Sequence, residues 1–73
     1  MDYKIEYIGF RDSIYKGKYV VTIYGGEDVS DKFYLALASF LLFCDKGIDT
    51  DDVAIHRIID YVAEGVTVVN FLI

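Results

Sequence analysis

One long apolar segment, residues 33–44 (FYLALASFLLFC), dominates the sequence, and Ser39 is its only polar residue. The segment contains Leu and Ala but no β-branched residue, which favours a helix over a strand. Ser30 can act as the N-cap and Gly47 can end the helix in a left-handed conformation, so we predict a helix over residues 30–46. Such a helix is apolar around most of its circumference. Because a chain of 73 residues has little interior, we expect part of this surface to contact another protein molecule.

The composition is that of a globular protein. Apolar residues make up 55% of the chain and aromatic residues 16%, which excludes a disordered chain and predicts one domain over residues 1–73. The apolar segment is shorter than the about 20 residues of a membrane-spanning helix, so we expect no membrane span. Cys44 is the only cysteine and cannot form an internal disulfide, as is usual in a reducing compartment. Without a signal-peptide pattern at the start, the sequence predicts a complete cytoplasmic protein.

The net charge of -5 and the pI of about 4.5 limit the partners that the chain can attract. Residues 1–26 carry three acids and four bases, whereas residues 27–73 carry nine acids and three bases. The acidic balance disfavours nonspecific binding to nucleic acid or to anionic lipid. It favours a basic or neutral protein partner.

Two strands are predicted before the helix. Tyr3, Ile5 and Tyr7 alternate with charged residues, which predicts a half-buried strand over residues 2–10. Residues 18–24 are apolar on both sides, as in a central strand. We place the loop between these strands at residues 11–17.

A second helix is predicted after Asp49, which is a suitable N-cap. The i, i+3, i+4, i+7 spacing of Ile55, Ile58, Ile59 and Val62 predicts its buried stripe. We expect this helix to end at Gly65 and a last strand to follow. The predicted fold is therefore α+β with two layers in the order β-β-α-α-β: a three-stranded, largely antiparallel sheet with a helical hairpin packed on one face.

No catalytic, cofactor or metal site is predicted. Asp52, His56 and Asp60 have the i, i+4, i+8 spacing of one helix face, on which a carboxylate and an imidazole can share a metal or a proton. Amphipathicity alone requires polar residues there, so we favour a solvated face. The acids from position 45 to position 52 do not fit a calcium loop, and capping accounts for them better.

Two further patterns have simpler explanations than a site. Gly25-Gly26 between a strand and a helix resembles a phosphate-binding turn, but the acidic Glu27 and Asp28 follow it and would repel the anion. Cys44 lies at the negative end of a helix, which disfavours a thiolate nucleophile. We therefore predict that Cys44 is a packed core residue and that the chain is not an enzyme.

Three functions remain open. The first is a non-enzymatic protein-interaction module that binds another protein through the apolar helix or through the second face of the sheet. It could be a homodimer, or an inhibitor that covers a basic, nucleic-acid-binding surface, as small phage-encoded inhibitors do. The second is binding of single-stranded nucleic acid through the tyrosines and lysines of the hairpin. The third is a ligand or metal domain that uses His56. For the first function we predict eight contact residues: Tyr34, Leu41 and Leu42 of the apolar helix, Tyr15 and Tyr24 of the hairpin, and the acidic Asp52, Asp60 and Glu64.

Overall fold

The protein is described by a computed structural model that covers residues 2–25 and 30–73. The elements in chain order are β1 (Asp2–Gly9), β2 (Gly17–Tyr24), α1 (Asp31–Lys46), α2 (Thr50–Val53), β3 (His56–Ala63) and β4 (Val66–Leu72). The strands form one sheet in the order β1-β2-β4-β3, with every neighbouring pair antiparallel. Because α1 packs on one face of this sheet, the predicted α+β class is confirmed.

The elements predicted for the first two thirds of the chain are confirmed to within one or two residues. Ser30 caps α1, since its hydroxyl accepts a hydrogen bond from the Phe33 N–H. Gly47 ends the helix with φ 67°, a conformation that glycine adopts without steric cost. β2 lies between β1 and β4 as a central strand, in agreement with its apolar residues on both sides. Residues 26–28, discussed above as a phosphate-binding turn, lie outside the described residues.

The predicted second helix is wrong beyond its first turn. Asp49 does cap a helix, but α2 ends at Val53 and residues 56–63 form the edge strand β3. The sheet therefore has four strands, and a β-hairpin (β3 and β4) takes the place of one helix of the predicted helical hairpin. Of the residues in the predicted stripe, Ile59 is partly buried, whereas Ile55, Ile58 and Val62 are exposed.

The physical reason is that both sides of β4 offer unpaired backbone groups, and β2 can satisfy only one side. The segment next to β4 is rich in β-branched residues, which pack well on a sheet and have limited rotamers in a helix. Gly65, which was expected to end a helix, has φ 71° in the short turn between β3 and β4. A glycine in that conformation allows the chain to reverse within two residues.

The core lies between α1 and the two central strands. Val21 and Ile23 of β2, together with Val69 and Phe71 of β4, meet one side of α1. That side presents residues at i, i+4 and i+8, which one helix face carries. They are Tyr34, Ala38 and Leu42, each at most 2% exposed.

Two tyrosine–aspartate hydrogen bonds fix the direction of α1 across the sheet. Near its N-terminus, Asp31 accepts a hydrogen bond from the Tyr61 hydroxyl of the edge strand β3. Near its C-terminus, the Asp45 carboxylate accepts one from the Tyr3 hydroxyl of the other edge strand, β1, at 2.8 Å and 2.9 Å from its two oxygens. The helix therefore runs from the β3 edge to the β1 edge and exposes one full side to solvent.

Candidate functional site

The solvent side of α1 carries three exposed phenylalanines. Phe33, Phe40 and Phe43 are 46%, 62% and 57% exposed. With 3.6 residues per turn, their spacing of seven and three residues places them within about 80° of one another around the helix axis. They lie opposite the side that packs on the sheet. We call these three residues the outer stripe.

Acidic residues flank one side of the outer stripe. The Thr50 hydroxyl donates a hydrogen bond to the Ser39 hydroxyl at 3.1 Å, which holds α2 beside the middle of α1. Ser39 and Phe43 are i, i+4 neighbours on the helix surface, so α2 lies next to the Phe43 end of the stripe. The exposed acids of α2 and its cap are Asp49, Asp51 and Asp52.

These acids are only partly neutralised. The Arg57 guanidinium of β3 lies 2.9 Å from an Asp51 carboxylate oxygen and also donates a hydrogen bond to the Thr50 carbonyl. Asp49 accepts a hydrogen bond from the Asp51 N–H and caps the turn. One arginine against three carboxylates leaves a negative surface beside exposed aromatic rings.

The face of the sheet that points away from α1 carries both apolar and polar residues. Since Val21 and Val69 point toward α1, their neighbours along each strand point away. The register assigns to this open face the even-numbered residues of β1, β2 and β4 and residues 56, 58 and 60 of β3. Within the described ranges neither helix packs on it. Ile8 and Ile58 at its two edges are 45% and 46% exposed.

The eight predicted contact residues do not form one site. Tyr34 and Leu42 lie in the core, and Leu41 is partly buried against it. Asp52 is exposed on α2, and Glu64 is exposed in the turn between β3 and β4.

The other three predicted residues lie on the open face or next to it. Tyr24 and Asp60 belong to that face by register. Tyr15 packs edge-on against the His56 ring, with centroids 5.7 Å apart, at one end of it.

The helix was predicted to contact another protein, but the three phenylalanines of the outer stripe were not among the predicted contact residues. The sequence signal was present as phenylalanines at i, i+7 and i+10, but a helix that is apolar on all sides does not reveal which side the sheet will cover. The exposed side of α1 and its buried side became distinguishable only once the position of the sheet was known.

The predicted grouping of Asp52, His56 and Asp60 on one helix face is wrong, because β3 starts at His56. Four residues along a strand span about 13 Å, compared with about 6 Å along a helix. Among the described residues, no group of three or more His, Cys, Asp or Glu side chains is arranged to hold a metal ion.

The prediction that Cys44 is a core residue is also wrong. Cys44 is exposed on α1 as a free thiol.

The sheet separates only some of the hairpin tyrosines from the hairpin lysines. By register, Tyr3, Tyr7 and Tyr19 point to the side of α1, and the rings of Tyr7 and Tyr19 pack together with centroids 4.8 Å apart. Lys4 and Lys18 belong to the open face together with Tyr24, and Tyr15 lies beside that face. A surface that binds single strands needs aromatic rings and cations on the same side, so Tyr3, Tyr7 and Tyr19 cannot share such a surface with Lys4 and Lys18.

Comparisons with known proteins give no family for the chain: no protein-family model matches it, and no curated protein or solved structure does. Among residues 2–25 and 30–73, neither helix combines the length and the hydropathy that crossing a membrane requires.

Proposed function

We propose that this chain is a non-enzymatic protein-interaction module whose outer stripe binds another protein. The observation that supports the proposal most directly is the exposure of Phe33, Phe40 and Phe43 on one side of a helix whose other side is fully packed. Phenylalanine is a weaker helix former than alanine, and an exposed ring gains little from folding. Exposed aromatic residues grouped on one surface are typical of binding sites.

The charge beside the stripe supports a basic partner. The acids of α2 and its cap lie next to Phe43, and the residues outside the open face carry most of the net charge of -5. Opposite charges around an apolar contact accelerate association and exclude wrong partners. A protein surface that binds nucleic acid is basic and contains apolar patches, so the module would act by covering such a surface and blocking its ligand.

The test is capture of a basic protein from the native lysate with tagged wild-type chain, followed by binding measurements on the purified pair. Changing Phe40 to Asp should weaken binding at least about tenfold, since it places a charge in the centre of an apolar contact. The matched control is Ile14→Asp, because Ile14 is 90% exposed and lies in the loop between β1 and β2, outside the stripe. We expect this control to bind as wild type does.

Two results would contradict the proposal. One is equal binding by the Phe40→Asp variant and wild type. The other is tight, salt-sensitive binding of the purified chain to single-stranded oligonucleotides, which would favour a nucleic-acid function instead.

A further inference from the structure

We infer that the open face of the sheet is a self-association surface, on which a second copy of this chain packs sheet to sheet. This surface lies on the opposite side of the molecule from the outer stripe. The inference therefore goes beyond the proposed function and does not depend on it.

The first argument is the set of apolar residues on the face. Val20 and Val68 lie on the two central strands, where the register pairs Val20 with Asn70 and Val68 with Thr22, and Ile8 and Ile58 lie at the edges of the same face. In a two-layer domain one face of the sheet is left to solvent, where strands normally carry polar residues. Here the alternation on the central strands is incomplete, because apolar side chains share that face with the polar Lys18, Thr22 and Asn70.

The second argument is charge. The open face carries Lys4 and Lys18 against three acids, Asp2, Glu6 and Asp60, which gives a balance of -1 and leaves -4 of the net charge to the rest of the chain. Two copies of an acidic protein repel each other through most of their surfaces. The repulsion between two copies is weakest at the nearly neutral open face. A strongly basic partner, in contrast, would be better matched by the acidic side near α2.

One pair of these charges, Lys4 and Asp60, is also self-complementary, and within its own copy Lys4 lies 3.4 Å from the Glu6 carboxylate. Lys4 and Asp60 lie at the two ends of one cross-strand row, Lys4–Thr22–Val68–Asp60. A two-fold axis parallel to the strands places β1 of one copy over β3 of the other. Lys4 then lies opposite Asp60 of the second copy, and the second copy's Lys4 lies opposite Asp60.

The third argument is area. Four strands about 4.8 Å apart, with seven paired positions that rise about 3.3 Å each, give a flat area of roughly 400 Å². Side-chain relief makes the accessible area larger than this projection, so a facing pair buries on the order of 1,000 Å² in total, which is the lower end of specific interfaces. Face-to-face packing of two sheets at about 10 Å is a common arrangement with suitable geometry.

The test measures the mass of the purified full chain by sedimentation equilibrium from about 1 μM to about 1 mM, the range over which weak dimers dissociate. The wild-type mass should rise from 8.3 kDa toward twice that value. Ile58→Lys and Ile8→Lys each place a charge on the open face at a position exposed enough for the monomer to accommodate it. Each should raise the dimer dissociation constant at least about tenfold.

The control carries the same substitution elsewhere, as Phe40→Lys on the outer stripe. It should dimerise as wild type does, and circular dichroism shows whether each variant is folded. If Ile58→Lys fails to fold, Ile8→Lys decides the result, because it tests the other edge of the same face.

A wild-type chain that stays monomeric up to about 1 mM would overturn the inference. So would a dimer that Phe40→Lys abolishes, because the outer stripe would then be the contact. Either result leaves the proposed function intact, since that proposal concerns a different protein bound at the outer stripe.

Discussion

Replacing Phe40 by Ala should leave the stability of the monomer nearly unchanged, although it removes the whole aromatic ring from a helix. Phe40 is 62% exposed, so little more than a third of its surface is buried. Full burial of a phenylalanine is worth about 1.5–3 kcal/mol, so the lost contacts cost about 0.6–1.1 kcal/mol. Alanine regains about 0.5 kcal/mol as the better helix former. The net change is a loss of about 0–0.6 kcal/mol of unfolding free energy.

Leu42, two residues further along the same helix, is the matched comparison. It is fully buried, and Leu→Ala changes in a core cost about 2–5 kcal/mol because a cavity remains. For a domain of this size, 1 kcal/mol corresponds to about 4–8 °C in Tm. We therefore expect Phe40→Ala to melt within about 5 °C of wild type and Leu42→Ala at least about 8 °C below it.

The assay is thermal or urea unfolding at a concentration where the chain is monomeric, because association raises apparent stability. Binding should respond in the opposite order. A partner that covers the exposed part of the Phe40 ring, roughly 120 Å² of a side chain of about 200 Å², gains up to about 3 kcal/mol, or about 100-fold in Kd. A loss of more than about 1.5 kcal/mol of unfolding free energy in Phe40→Ala would show that the ring packs within the monomer, and the reasoning behind the outer stripe would fail.

Two further predictions test the fold itself. A Cβ at Gly17 would lie 2.4 Å from the Ile8 carbonyl oxygen, whereas one at Gly9, its partner across the hairpin, would meet nothing closer than 3.7 Å. Gly17→Ala should therefore lower the free energy of unfolding in urea by about 1–3 kcal/mol, and Gly9→Ala by less than about 1 kcal/mol. Equal effects of the two substitutions would contradict this register. The hydrogen bond to Asp45 raises the pKa of Tyr3 above its ordinary value of 10.0. This hydrogen bond therefore stabilises the folded chain fully below about pH 10, and the stabilisation is lost as the pH rises through the raised pKa. Absorbance titration of the tyrosines should show one late group that Asp45→Asn or Tyr3→Phe removes, and an unchanged titration in both variants would contradict this hydrogen bond.

The local signals in the first two thirds of the sequence were sufficient to predict its elements. Ser30 and Gly47 have one plausible role each, as the caps of a helix formed by the apolar segment. The alternation of apolar and charged residues around Ile5 fits only a strand. Features of this kind depend on neighbours within a few residues, so no knowledge of the rest of the chain is needed.

The segment that became β3 was different because two periodicities fit it. Ile55, Ile58, Ile59 and Val62 match a helix stripe, while the same residues are β-branched and favour a strand. The choice was made by tertiary structure, since β4 is apolar on both faces and offers a second edge for pairing. A glycine two residues after Ala63, directly before a β-branched segment, was the available hairpin signal.

The residues of the exposed apolar surfaces could not be predicted from the sequence for a related reason. Predicting surplus apolar surface required only composition and chain length, but deciding which apolar residues remain outside requires the position of the helix on the sheet. Leu42 and Phe40 are both large, apolar and two residues apart, yet one is fully buried and the other is 62% exposed. This rotation of the helix places Tyr34, Ala38 and Leu42 in the core and allows the Asp31 and Asp45 hydrogen bonds to the two edge strands, and none of these contacts is visible in the sequence.

Together the two surfaces predict how the module would act on its partner. Packing through the open face gives a four-layer dimer with the sheets inside and both copies of α1 outside, so the two outer stripes point in opposite directions. Each dimer then presents two binding surfaces that one compact partner molecule cannot reach together. A single-site partner should therefore bind with 2:2 stoichiometry and with no gain from avidity, whereas a partner that carries several sites would be cross-linked. Light scattering of the purified complex distinguishes these states. If a 1:1 complex forms only as the dimer dissociates, the partner occupies the open face instead of the outer stripe.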